Sequence, residues 1–178
     1  MPLKHLKLHH QVVDFAGLPN LPKVNECYVA LKTTLKLAGS QSAFKAIDLD
    51  AVVAVVLAAQ AAGAKRFGVV SAMGADAKSP VFYNRIKGEM ELALKQLGLK
   101  SLVIARPSLL NGNRAALGQP KRGVEGLGLW LARRLRPLLP VNYRAVLAKD
   151  VAHALIQAVQ AVNPGIVTLL SGDMHDHR

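Results

Sequence analysis

Cysteine is almost missing from this 178-residue chain: Cys27 stands alone. No intrachain disulfide can form, and such usage fits a reducing compartment. Aromatic residues are scarce at 4%, too few for the stacking platforms that hold single-stranded nucleic acid. Acidic residues number 11 against 23 Lys and Arg, giving a formal net charge of +12. That imbalance suggests an anionic partner, for which nucleic acid, acidic lipid and a phosphorylated cofactor all qualify. Long apolar runs are missing too. The longest uncharged stretch of the first half, residues 51–64, is interrupted by Gln60 and falls short of the roughly 18 residues of a membrane span. The first residues, Met1-Pro-Leu-Lys-His-Leu-Lys7, carry charge but no apolar stretch fit for a signal peptide. The expectation is a soluble cytoplasmic protein.

What is present is a core. Hydrophobic residues make up 51% of the chain, which excludes disorder and suits a single domain. Short β-rich runs alternate with longer helical ones. Strands are expected at Gln11–Phe15, Glu26–Leu31, Arg66–Ser71, Ser101–Arg106 and Ile166–Leu170. Helices are expected over Gln41–Ala62, Val124–Leu135 and Lys149–Val162. Another should run to about Leu97, begun by Ser79 as cap with Pro80 in its first turn. A loop covers 111–123, and 111–145 reads as a small insertion on the substrate side. Repeated β–α–β at these spacings argues for a doubly wound parallel sheet with helices on both faces.

Ser71, Tyr83 and Lys87 form the constellation best suited to chemistry. A four-residue step puts Tyr83 and Lys87 on one helical face. A nearby ammonium favours the phenolate, lowering the pKa of a group otherwise poor at proton transfer near neutrality. Ser71 falls at the carboxyl end of a strand, the edge where open parallel sheets bind ligands. A hydroxyl there can stabilise charge developing on a substrate oxygen.

These residues carry a resemblance. Val13-Asp-Phe15, Thr33-Thr34 with Ala38-Gly-Ser40, Phe44–Asp50, Ala62–Phe67, Ser71 through Gly74-Ala-Asp76, Phe82–Glu89, Arg106–Leu110 and Asp150-Val-Ala152 follow in order. Together they resemble the atypical short-chain dehydrogenases/reductases of the HIV Tat-interacting-protein branch. The resemblance implies a Rossmann-like fold, NADP(H) as cofactor and a small carbonyl compound as substrate. It also implies Tyr83 as general acid/base, Lys87 lowering its pKa and binding the nicotinamide ribose, and Ser71 polarising the carbonyl. Leu31 and Lys32 would line the cofactor, Leu110 would lie by the nicotinamide, and Arg122 would contact phosphate. A homo-oligomer or a protein partner is compatible with the branch.

The sequence departs from that pattern twice. Lys32 stands where the family has Gly, and either reaches a phosphate or blocks the site with its bulk. No Gly-x-x-Gly-x-x-Gly occurs, so the helix N-terminus that normally seats the pyrophosphate has no counterpart. The expectation is an incomplete domain over 1–178, lacking the first two strands and the glycine loop, with an apolar exposed edge at residues 26–31. Either the reading frame starts upstream of Met1 or the chain is a truncated form. The functional readings are an impaired NADP(H)-dependent oxidoreductase and a non-catalytic cofactor-sensing or protein-interaction module. His5, His9, His10, His175 and His177 lack a framed carboxylate or cysteine and read as solvated, so no metal site is expected. Arg133, Arg134 and Arg136, after Trp130, read as a surface helix rather than a nucleic-acid face.

Overall fold

The computed structural model describes residues 7–108, 110–111, 142, 145–161 and 163–175. In chain order, β1 (Glu26–Val29) leads to the short helix α1 (Leu35–Ala38) and then α2 (Gln41–Lys45). A π-helical turn, Ala46–Asp50, joins α2 to α3 (Ala51–Ala61). There follow β2 (Arg66–Val70), α4 (Phe82–Gln96), β3 (Ser101–Arg106) and β4 (Leu110–Asn111). After them come β5 (Val146–Leu147), α5 (Ala148–Gln160), β6 (Gly165–Leu170) and a 3-10 turn at Ser171–Met174.

The main sheet is parallel throughout, in the order β1-β2-β3-β6, with Ser101 of β3 opposite Arg66 and Gly165. Alternation along the strands decides which face each residue serves. Phe67, Val69, Leu102 and Ile104 pack with Val52 and Val56 of α3 and Met90 and Leu94 of α4. Val103 and Ala105 instead meet Val151, Leu155 and Val159, which recur every fourth residue along α5. Helices therefore cover both faces, as the alternation of elements requires. Gly68 is the close approach on the α5 side. A Cβ there would lie 2.9 Å from Val159 Cγ2 and 3.1 Å from Leu155 Cγ.

Several boundaries differ from expectation, each for a local reason. Residues 11–15 form no strand: Asp14 turns the chain, its carboxylate accepting the Ala16 N–H and its carbonyl that of Gly17. Ser79 does not cap α4. Its Oγ accepts the Val81 N–H at 3.2 Å, a local turn that delays the helix to Phe82. The helix expected over 41–62 carries the π-helical turn in its path. The strand β1, at the edge of the sheet among the described residues, is less apolar than expected: Glu26 pairs with Arg66 at 2.6 Å and accepts the Tyr28 hydroxyl at 2.8 Å, a polar guard on such an edge. Asn111, expected in a loop, pairs in parallel through β4 with β5. The helix expected at Val124–Leu135 lies outside the described residues.

Candidate active site

A cleft of about 1270 Å³ opens where the carboxyl ends of β1, β2 and β3 meet the start of α4 and one side of α5. The geometry follows from parallel pairing, which turns every strand end toward the same edge. Leu31, Lys32, Ser71, Tyr83 and Lys87 all line it. Five of the seven expected site residues are thus brought together. Leu110 contributes its backbone to β4, and Arg122 lies outside the described residues.

α4 carries Tyr83 and Lys87 because its inner face repeats through Ile86, Met90 and Leu94. Gly88 sets how near it comes to the loop after β2. A Cβ there would sit 2.1 Å from the Ala77 nitrogen and 2.2 Å from the Asp76 carbonyl carbon. Only glycine lets the helix and loop touch.

Tyr83 is half-buried, edge-on to Phe44 with ring centroids 6.0 Å apart. Its hydroxyl does not show the lowered pKa expected of a phenol beside Lys87. Burial first, and then the Asp48 carboxylate, push it up. The reason lies in what holds Lys87. That side chain is 2% exposed, and its Nζ lies 2.7 Å from Oδ1 of Asp48, itself fully buried in the π-helical turn. The other oxygen of Asp48 accepts the Thr33 N–H at 2.9 Å. One carboxylate therefore joins the loop after β1 to the helix that carries the tyrosine.

Ser71 is buried and donates its hydroxyl proton to Glu91 Oε1 at 2.6 Å. Glu91 in turn takes a two-pronged contact from Arg106, Nε to Oε1 at 2.9 Å and Nη2 to Oε2 at 2.6 Å. The bond to Glu91 raises the Arg106 pKa further. Asp48 and Glu91 were not singled out from sequence. Glu91 had a signal: it extends the four-residue step of Tyr83 and Lys87 along one face. Asp48 had a fainter one, an acidic residue flanked by the apolar Ile47 and Leu49.

Among the described residues, no group of His, Cys, Asp and Glu could hold a metal ion, and no helix is long and apolar enough to cross a membrane.

No family model matches the chain. It is 31% identical over 171 residues to Protein HTATIP2 of Rattus norvegicus, covering 94% of this chain and 65% of that protein. It is 36% identical over 100 residues to Protein FMP52, mitochondrial, of Coccidioides immitis, covering 56% of this chain and 39% of that one. The chain thus spans under two thirds of the length of these curated relatives. A solved structure, RMD from Pseudomonas aeruginosa complexed with NADPH, matches with a TM-score of 0.56 over 84% of this chain and 62% of that chain. At 16% identity the match speaks for the fold alone. The relatives also correct one expectation: the FMP52 proteins of several fungi are named mitochondrial, against the cytoplasmic placement read from the first residues.

Proposed function

The chain has the sequence pattern and the Rossmann-type fold of an atypical short-chain dehydrogenase/reductase of the HTATIP2 branch, and from that premise we propose that it carries the catalytic half of an NAD(P)(H)-dependent oxidoreductase acting on a small carbonyl compound. The observation behind this reading is the meeting of Ser71, Tyr83 and Lys87 in one cleft at the carboxyl ends of parallel strands. On it, residues 1–178 belong to one cofactor-binding unit.

The residues fit one end of a nicotinamide dinucleotide. An ammonium has three donors, and Asp48 faces only one oxygen to Lys87, leaving donors for ribose hydroxyls. Leu31 and Lys32 would flank the bound dinucleotide, with Leu110 at its nicotinamide end and Arg122 at a phosphate. When bound, the cofactor supplies or accepts the hydride. In reduction, the Tyr83 proton passes to the substrate's carbonyl oxygen as hydride reaches its carbon, and water then reprotonates the phenolate. Ser71 polarises that oxygen only by releasing Glu91. While the 2.6 Å bond holds, its hydroxyl acts as an acceptor that orients a donor.

Titration of the chain with NADPH, followed by reductase assays on a carbonyl panel, tests this. The expected result is saturable binding, with Tyr83→Phe lowering turnover roughly 10²–10⁴-fold and changing affinity little. No binding overturns the reading. Binding without any turnover that depends on Tyr83 favours the cofactor-sensing module instead.

A further inference from the structure

We propose that Asp48 is the positioning residue of this site: its carboxylate clamps Lys87 to the Thr33 amide and cancels the ammonium's charge beside Tyr83, leaving Tyr83 protonated in the resting site. The inference rests on the oxidoreductase reading and adds to it the protonation state in which Tyr83 waits for substrate.

Geometry comes first. The two Asp48 oxygens are divided between elements far apart in sequence, Oδ1 meeting Lys87 of α4 and Oδ2 meeting the N–H of Thr33 in the loop after β1. Asp48 reaches both from the middle of a π-helical turn, the type of irregularity that re-aims a side chain within a helix. Leu31 and Lys32 precede Thr33 in that same loop and line the cleft. Holding Thr33 therefore holds the cofactor-side loop in register with Lys87.

Energetics points the same way. Taking both charges out of water is costly, and an apolar pair of equal volume often serves stability as well. An ion pair at 2% and 0% side-chain exposure, with Lys87 in the lining of the cleft, is better explained by what it does there. A lone ammonium one helical turn from Tyr83 would draw the phenol toward phenolate. Paired at 2.7 Å, the two charges leave only a dipole, and burial then acts on the phenol with little opposition. The other charged groups nearby are engaged elsewhere. Lys45 of α2 lies 3.9 Å from Glu89, Arg85 bonds the Ser79 carbonyl and covers the Phe82 ring, and Glu91 is held by Arg106. Lys32 lines the cleft from the loop after β1.

The test needs neither cofactor nor substrate. The chain is labelled at tyrosine Cζ with carbon-13, the Tyr83 signal is assigned with Tyr83→Phe, and its ionisation is followed by NMR against pH. Asp48→Asn should lower the Tyr83 midpoint by about one pH unit or more, since the ammonium is then unopposed. Removing both charges, Asp48→Asn with Lys87→Met, should return it to within about half a unit of the parent. A midpoint unmoved or raised in the single variant overturns the proposal. So does a rise of about one unit in the double variant, which decides alone if the single variant fails to fold. Failure of NADPH binding would sink the oxidoreductase reading and leave this titration as it is.

Discussion

Cys27 and Tyr28 are neighbours on β1 whose protons are held for different reasons. Cys27 packs against the α3–α4 side of the core, and burial raises its thiol to about 11. Tyr28 rises to about 12 through burial first and then its bond to Glu26. Both are acids that bind their protons more tightly folded than unfolded. Their contribution to stability is complete below the unfolded values, 9.0 and 10.0, and is lost as pH climbs through the folded ones. The urea midpoint should therefore fall between pH 8 and 11; a rise would contradict the assignment. At pH 8, the folded chain should react with iodoacetamide on the order of 100-fold more slowly than the chain in urea, because the thiolate is that much rarer. Equal rates would refute it. Such environments show how far single residues could be read in advance. Tyr83, Lys87 and Ser71 were legible because spacing along one helix and one strand end is a local property. Glu91 shares that spacing, but its bonds to Ser71 and Arg106, like the pairing of Asp48 with Lys87, were not legible, because the partner of a buried charge is chosen by packing between elements distant in sequence.

At the scale of elements, sequence reading worked where a boundary has a local cause. β3 runs from Ser101 to Arg106 as expected, between the left-handed turn at Gly98 and Pro107. β6 and α5 lie within about two residues of their expected limits, since the apolar period alone defines them. It failed where side chains competed for backbone groups, as Asp14 and Ser79 do. The contact between α4 and the loop after β2 was also beyond reach, because a glycine inside a helix does not announce which backbone it will touch. Gly88→Ala tests that contact. A methyl group there meets backbone rather than a flexible side-chain end, so helix and loop must separate. The expected cost is about 1–3 kcal/mol or more, against the gain an alanine normally brings to a helix interior. Separation would also loosen Ser71 from Glu91. Urea unfolding of the variant measures the cost, and an unchanged or higher midpoint would show that the contact is not as tight as described.

For the whole molecule, the decisive feature is an asymmetry of the cleft. The side that the proposed reading gives to the nicotinamide has an ammonium and a phenol from α4 and a buried serine after β2. For the pyrophosphate, the fold normally offers glycine-bracketed N–H groups at a helix start, and these 178 residues contain no Gly-x-x-Gly-x-x-Gly. The net charge of +12 is no substitute, since a diffuse field raises encounter rates without fixing a phosphate in place. If recognition resides in the nicotinamide half, NADPH and reduced nicotinamide mononucleotide should bind this chain with affinities within about tenfold, or 1.4 kcal/mol, of each other. Parallel titrations at low and moderate salt provide the comparison. Any preference for NADPH should shrink as salt rises, because screening removes a diffuse attraction before it removes fitted hydrogen bonds. A preference above about a hundredfold that survives salt would mean that a phosphate seat exists here after all. Lys32 and Arg122 would then be the residues to substitute first, and the loss of that preference in Lys32→Ala or Arg122→Ala would locate it.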